Sequence, residues 1–165
     1  MTEQYYADLF EINGKGCVIM GHGKTRAIRR HTGEETKELS TDMTKFDVVD
    51  GELVAMGALH DMAMAAGLVK ETFVQPKIKV DYFIYMRDVE ETTVKEITEV
   101  SKEEFCKLAE FNATFPCQFP NIRIGADDRR KEFAELLENA DVKCIAVPWC
   151  DTMEEKGVLV AAYVK

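Results

Sequence analysis

KIKVDYFIYMRD, residues Lys77–Asp88, is the best β-strand in the chain. Successive strand side chains point to opposite faces, so Ile78, Val80, Tyr82, Ile84 and Met86 form one row. Lys79, Asp81, Phe83, Tyr85 and Arg87 form the other. The first row is apolar throughout; the second is charged at its ends and aromatic in the middle. That pattern predicts an interior antiparallel strand with one face on the core and the other partly covered. Phe83 and Tyr85 could stack a flat ligand, but in a sheet such residues more often pack under a helix.

Working outward towards the N-terminus, Tyr5–Ile12 and Cys17–Met20 flank Asn13-Gly14-Lys15-Gly16. Asn-Gly tolerates φ > 0 at both central positions of a tight turn, which predicts a hairpin. Phe46–Val49 reads as a short strand after a polar connection over Glu34–Thr44. Asp50 reads as the N-cap of an apolar helix over about Glu52–Leu68, with Leu53, Met56, Leu59, His60, Met64 and Leu68 at helical spacing.

Towards the C-terminus, the β-branched stretch Glu91–Val100 predicts a strand paired with Lys77–Asp88. Ser101-Lys102-Glu103-Glu104 is a capping box that opens a helix with Phe105, Leu108 and Phe111 on one face, ending near Asn112. Thr114–Gly125 reads as an ordered loop, and a helix follows over about Asp128–Ala140 with Phe133, Leu136 and Leu137 inward. Val142–Val147 and Gly157–Val164 are apolar runs that read as two buried strands of one hairpin. The fold class expected is α+β, a mainly antiparallel sheet of about five to seven strands with about three helices packed on it. A chain of 165 residues fits a single domain, 1–165, since domains run to about 100–200 residues.

Composition narrows function less than fold. With 46% hydrophobic residues and no apolar run near the ~20 residues of a membrane helix, a cytoplasmic protein without membrane contact is expected. The net charge of −9 makes direct nucleic-acid binding a poor fit, because phosphate backbones reward clustered cations. Five cysteines without C-x-x-C spacing predict buried thiols and no metal site. Pro148-Trp149-Cys150 lacks the second cysteine of a redox motif, since Met153 stands three residues on. His60 reads as a core histidine and His31 has no partner motif; His22 lies beside the basic cluster described next.

That cluster is Gly21-His22-Gly23-Lys24-Thr25, followed by Arg26, Arg29 and Arg30. A strand running into GHGKT matches the end of a phosphate-binding loop, where glycines expose backbone N–H groups and lysine meets phosphate oxygens. The match to G-x-x-x-x-G-K-[ST] is partial, because Val18 stands where the first glycine is required. Lys24, Arg26, Arg29 and Arg30 still put four cations into seven positions of an acidic chain, a pattern suited to phosphate or carboxylate. The plainer reading is a solvated basic face paired with Glu34, Glu35 and Glu38.

Two functions follow from these residues. The first is a non-enzymatic interaction or regulatory protein, able to form a homo-oligomer, whose acidic surface engages a basic protein partner. The alternative is binding, or binding with turnover, of a small anionic ligand of the phosphate or nucleotide type at Gly21, His22, Gly23, Lys24, Thr25, Arg26, Arg29 and Arg30. No cofactor motif and no metal-ligand spacing is present.

Overall fold

The structure is a computed structural model, which describes residues 4–21, 36–40, 43–57, 66–67, 77–88, 95–110 and 126–165. These residues form nine strands and three helices, so the α+β class and the packing of helices on a sheet hold. The strands are β1 (Gln4–Tyr6), β2 (Asp8–Ile12), β3 (Lys15–Gly21), β4 (Thr36–Ser40), β5 (Met43–Val49), β6 (Glu52–Gly57), β7 (Ile78–Met86), β8 (Thr98–Val100) and β9 (Lys143–Val147). The helices are α1 (Lys102–Leu108), α2 (Ala126–Glu138) and α3 (Met153–Tyr163).

β7, the strand anticipated from KIKVDYFIYMRD, is the centre of the sheet. Strand order along the main path is β1-β5-β6-β7-β3-β2-β4, with β9 joined to β7 and β8 joined to β9. One edge of β7 runs parallel to β3, from Val80 opposite Gly16 to Met86 opposite Gly21. Its other edge is shared: Ile78 and Lys79 pair antiparallel with β6, and Tyr82–Met86 pair parallel with β9. The strand is therefore interior, but its environment is mixed rather than antiparallel.

The row assignment of β7 is corrected by a bulge. Gly16 lies opposite Val80 and Cys17 opposite Tyr82, leaving Asp81 as an extra residue. One inserted residue reverses which face the following side chains take. Val80 therefore shares a core with Phe83 and Tyr85, while Ile84 and Met86 face the opposite core. Two features hold the bulge. The Gly16 N–H donates to Asp81 Oδ2 at 3.0 Å, and a Cβ at position 16 would overlap the Lys79 carbonyl.

Ala7 connects β1 directly to β2, and Tyr5, Ala7 and Leu9 all belong to the first core. The two ends of the path β1-β5-β6-β7-β3-β2 are thus one continuous segment, and the sheet curls around that core. Thr44 Oγ1 donates to the Ala7 carbonyl at 2.9 Å across the join. α1 and α2 close the core with Phe105 and Phe133, which meet Phe83 edge-on at 5.8 and 6.1 Å between ring centroids. Phe83 is a packing residue, as the bland reading of the aromatic pair expected. On the opposite face α3 lays Val160 and Val164 against Ile19, Ile84, Ile145 and Val147.

The Asn13-Gly14 hairpin forms, with φ of 51° and 78°, and links β2 to β3. The Ser101 cap forms as well: its hydroxyl accepts the Glu104 N–H at 3.0 Å, although α1 closes earlier than expected, at Leu108.

Four further expectations are overturned. Glu52–Gly57 is a strand and not the start of a helix, because Asp50-Gly51 is itself a hairpin turn with both φ values positive. Leu53, Ala55 and Gly57 then alternate inward. The run Gly157–Val164 is not a strand: it belongs to α3 as far as Tyr163, with Val164 as the C-cap, and Thr152 caps the start of the helix by accepting the Glu155 N–H. Thr98–Val100 pairs with β9 and not with β7. Part of the polar connection over Glu34–Thr44 is also a strand, β4. The loop over Thr114–Gly125 and the three histidines lie outside the described residues.

Candidate functional site

The parallel strands β3, β7 and β9 end together. Gly21 is opposite Met86, and Met86 is opposite Val147, so the three residues form one row across the carboxyl edge. The row is extended by the Arg87 N–H, which donates to the Val147 carbonyl at 3.0 Å. Gly21 has φ of 105°, and a side chain there would strike the backbone of Met86. Only glycine tolerates this conformation easily, so β3 ends at a position that admits no side chain. The other residues of the predicted anion cluster, His22, Gly23, Lys24, Thr25, Arg26, Arg29 and Arg30, lie outside the described residues. Gly21 is the member of the cluster that the described fold positions.

Chemistry not anticipated from the sequence gathers beyond the ends of β7 and β9. β9 leads through Pro148, Trp149 and Cys150 to the capped start of α3, whose first turn carries Glu154 and Glu155. Lys156, one position later, is 1% exposed, and its Nζ has no hydrogen-bond partner. The ammonium rests over the indole of Trp149, 4.0 Å from the ring centroid. Burial holds the Lys156 pKa below the ordinary lysine value, against the opposing pull of Cys150 and Asp88. Lys95 reaches the same corner and donates to the Trp149 carbonyl at 3.0 Å.

Cys150 is not a reactive thiol. It is buried, its Sγ donates to the Pro148 carbonyl at 3.6 Å, and burial with the Glu155 charge raises its pKa. A thiol so held stays protonated at neutral pH and is a poor nucleophile. Beside it opens a cleft of about 710 Å³ whose charged lining is Lys95 against the carboxylates Asp151, Glu154 and Glu155, with Cys150 and Val158 among its other walls. Among the described residues no group of three or more His, Cys, Asp or Glu is placed to hold a metal ion. The corner beyond β7 and β9 thus gathers two lysines, an aromatic face and several carboxylates, while β3 ends at Gly21 in a conformation reserved for glycine.

The sequence carries one signal for the position of Lys156. Thr152-Met153-Glu154-Glu155 has the form of a capping box; it places Lys156 in the first turns of a helix, on the side that packs on the sheet.

No protein-family model matches the chain, and no curated protein matches it. Its fold is similar to that of the Hpr(Ser) kinase/phosphatase from Coxiella burnetii, with a TM-score of 0.52. The superposition covers 98% of this chain and 95% of that one at 12% sequence identity, so the likeness is one of fold. Among the described residues no helix is long and apolar enough to cross a membrane.

Proposed function

We propose that the protein binds a small anionic ligand of the phosphate or nucleotide type through Gly21–Arg30. The observation that carries this reading is the row Gly21, Met86 and Val147. The basic segment follows directly from the carboxyl end of a strand in a parallel trio, and open α/β sheets take their ligands outside the carboxyl ends of parallel strands. Gly21 and Gly23 would present backbone N–H groups, with Lys24, Arg26, Arg29 and Arg30 supplying the charge. A structural neighbour named as a kinase and phosphatase, an enzyme that moves phosphoryl groups, is in keeping with a phosphate-type ligand. The reading as an interaction protein rests on net charge and on the lack of a catalytic or metal-ligand motif in the sequence.

The test is isothermal titration with ATP and with inorganic phosphate. Replacing Lys24→Ala and Arg26→Ala together is expected to abolish measurable binding with a melting temperature close to that of the parent. Unchanged affinity in the double variant, or loss of its fold, would show that these residues do not form the site.

A further inference from the structure

α3 is apolar over most of its circumference, the pattern of a helix covered on two sides, but the described fold covers one. Lys156, Val160 and Val164, four residues apart, turn inward and are buried. Glu155, Val158, Ala162 and Lys165 are spaced by three and four residues, so they form one stripe on the opposite side, and all four are exposed. Between Lys156 and Lys165 the helix carries no charged residue. Val158 is 54% exposed, and Leu159 joins it in the wall of the cleft beside Cys150. The Asn13 amide, bonded to the Ala161 and Val164 carbonyls, holds this face in place.

We propose that the outward face of α3 docks a second copy of this chain, the two helices lying antiparallel about a two-fold axis level with Val160. An isologous contact sets each end of a patch against its other end. Residues equally far on either side of Val160 then meet, so Val158 faces the partner's Ala162 and Glu155 faces the partner's Lys165. A large side chain meets a small one, which lets the helices approach, and an acid meets a base. A parallel pairing would instead set Glu155 against its own copy. The stripe is also where two copies repel least, because a net charge of −9 makes most other meetings of the two surfaces unfavourable. The inference is independent of the anion reading.

The experiment is sedimentation equilibrium of the full chain over a range of concentrations. Each copy contributes a helix about 16 Å long, so the contact is small and its dissociation constant is expected to be roughly micromolar. Val158→Asp puts a charge on both sides of the axis and is expected to weaken dimerisation at least about tenfold. Because Val158 is exposed, the melting temperature of the dilute protein should stay close to that of the parent. Glu155→Lys alone and Lys165→Glu alone are each expected to weaken dimerisation about three- to tenfold, and the two together to restore it.

A parent that stays monomeric up to about 500 µM, far above the expected constant, would overturn the proposal and leave the face to a different partner. A dimer that Val158→Asp does not weaken would also overturn it, since the contact would lie elsewhere on the molecule. The charge exchange decides the geometry even where Val158→Asp fails to fold. If each single exchange weakens the dimer and the double variant is weaker still, the antiparallel pairing is wrong.

Discussion

Gly16 and Asp81 together determine which way the central strand faces. The carboxylate of Asp81 fills the gap left by its own insertion by accepting the Gly16 N–H at 3.0 Å. Replacing Asp81→Ala is expected to cost about 1–3 kcal/mol, the penalty of a part-buried donor left without its acceptor. Gly16→Ala is expected to cost at least as much, about 1–3 kcal/mol or more, because the added methyl meets backbone and not a movable side chain. Urea denaturation of both variants checks the pair; a neutral Gly16→Ala would mean that β3 and β7 approach less closely. The alternation of KIKVDYFIYMRD was legible in the sequence, yet the face reversal was not. A bulge is set by pairing with a strand far away in the chain, and nothing in the local pattern marks it. Lys156 escaped for a related reason: its burial depends on Trp149 and on the sheet beneath α3.

At the scale of elements, two short-range signals each occur twice, once with an unambiguous sequel and once without. Asn13-Gly14 and Asp50-Gly51 both turn hairpins with positive φ, but the second precedes residues at helical spacing, where Asp50 equally suits a helix cap. Ser101 and Thr152 both accept the N–H three residues on, but the second precedes an apolar β-branched run that also suits a buried strand. Turn and cap signals are local, whereas the choice between helix and strand for a short apolar run is made by what covers it.

Two substitutions test these elements by thermal or urea denaturation. Thr152→Ala is expected to cost about 1 kcal/mol, as loss of an N-cap usually does. Asn13→Ala is expected to cost more, about 1–3 kcal/mol. It strains the turn, and it removes the side-chain amide that donates to the Ala161 and Val164 carbonyls at 3.2 and 2.6 Å. Those two bonds tie the first hairpin to the end of α3, so equal losses at the two sites would argue against that link.

For the whole molecule, the class was legible and the topology was not, because hydrophobic alternation says nothing about which strands run parallel. The two cores that result leave a titration signature. Burial, assisted by the Asp81 charge, pushes the Cys17 thiol far above its ordinary pKa, and burial pushes Cys144 up to about 12. In the unfolded chain these thiols ionise near their ordinary value, about 8.5. Above that pH the unfolded state binds fewer protons than the folded one, so stability falls as pH rises from about 9 towards 12. Lys45 and Lys156 act in the opposite sense, since their lowered pKa values make stability rise as pH climbs towards the ordinary lysine value, about 10.4. Replacing Cys17→Ala and Cys144→Ala together is therefore expected to flatten the loss of stability between pH 8 and pH 10.5. Parallel declines in variant and parent, measured as urea midpoints, would refute it.

The shared edge of β7 also imposes a timetable. Ile78 and Lys79 pair with residues that precede them in the chain, whereas Tyr82–Met86 wait for Lys143–Val147. At ribosomal rates, the stretch between Met86 and Val147 takes roughly 3–12 s to synthesise. Throughout that interval the growing chain carries a β edge whose side chains are apolar on both faces, the kind of surface that pairs with other chains. The nascent protein is most exposed to aggregation when its central strand has been made and the partner of that strand has not.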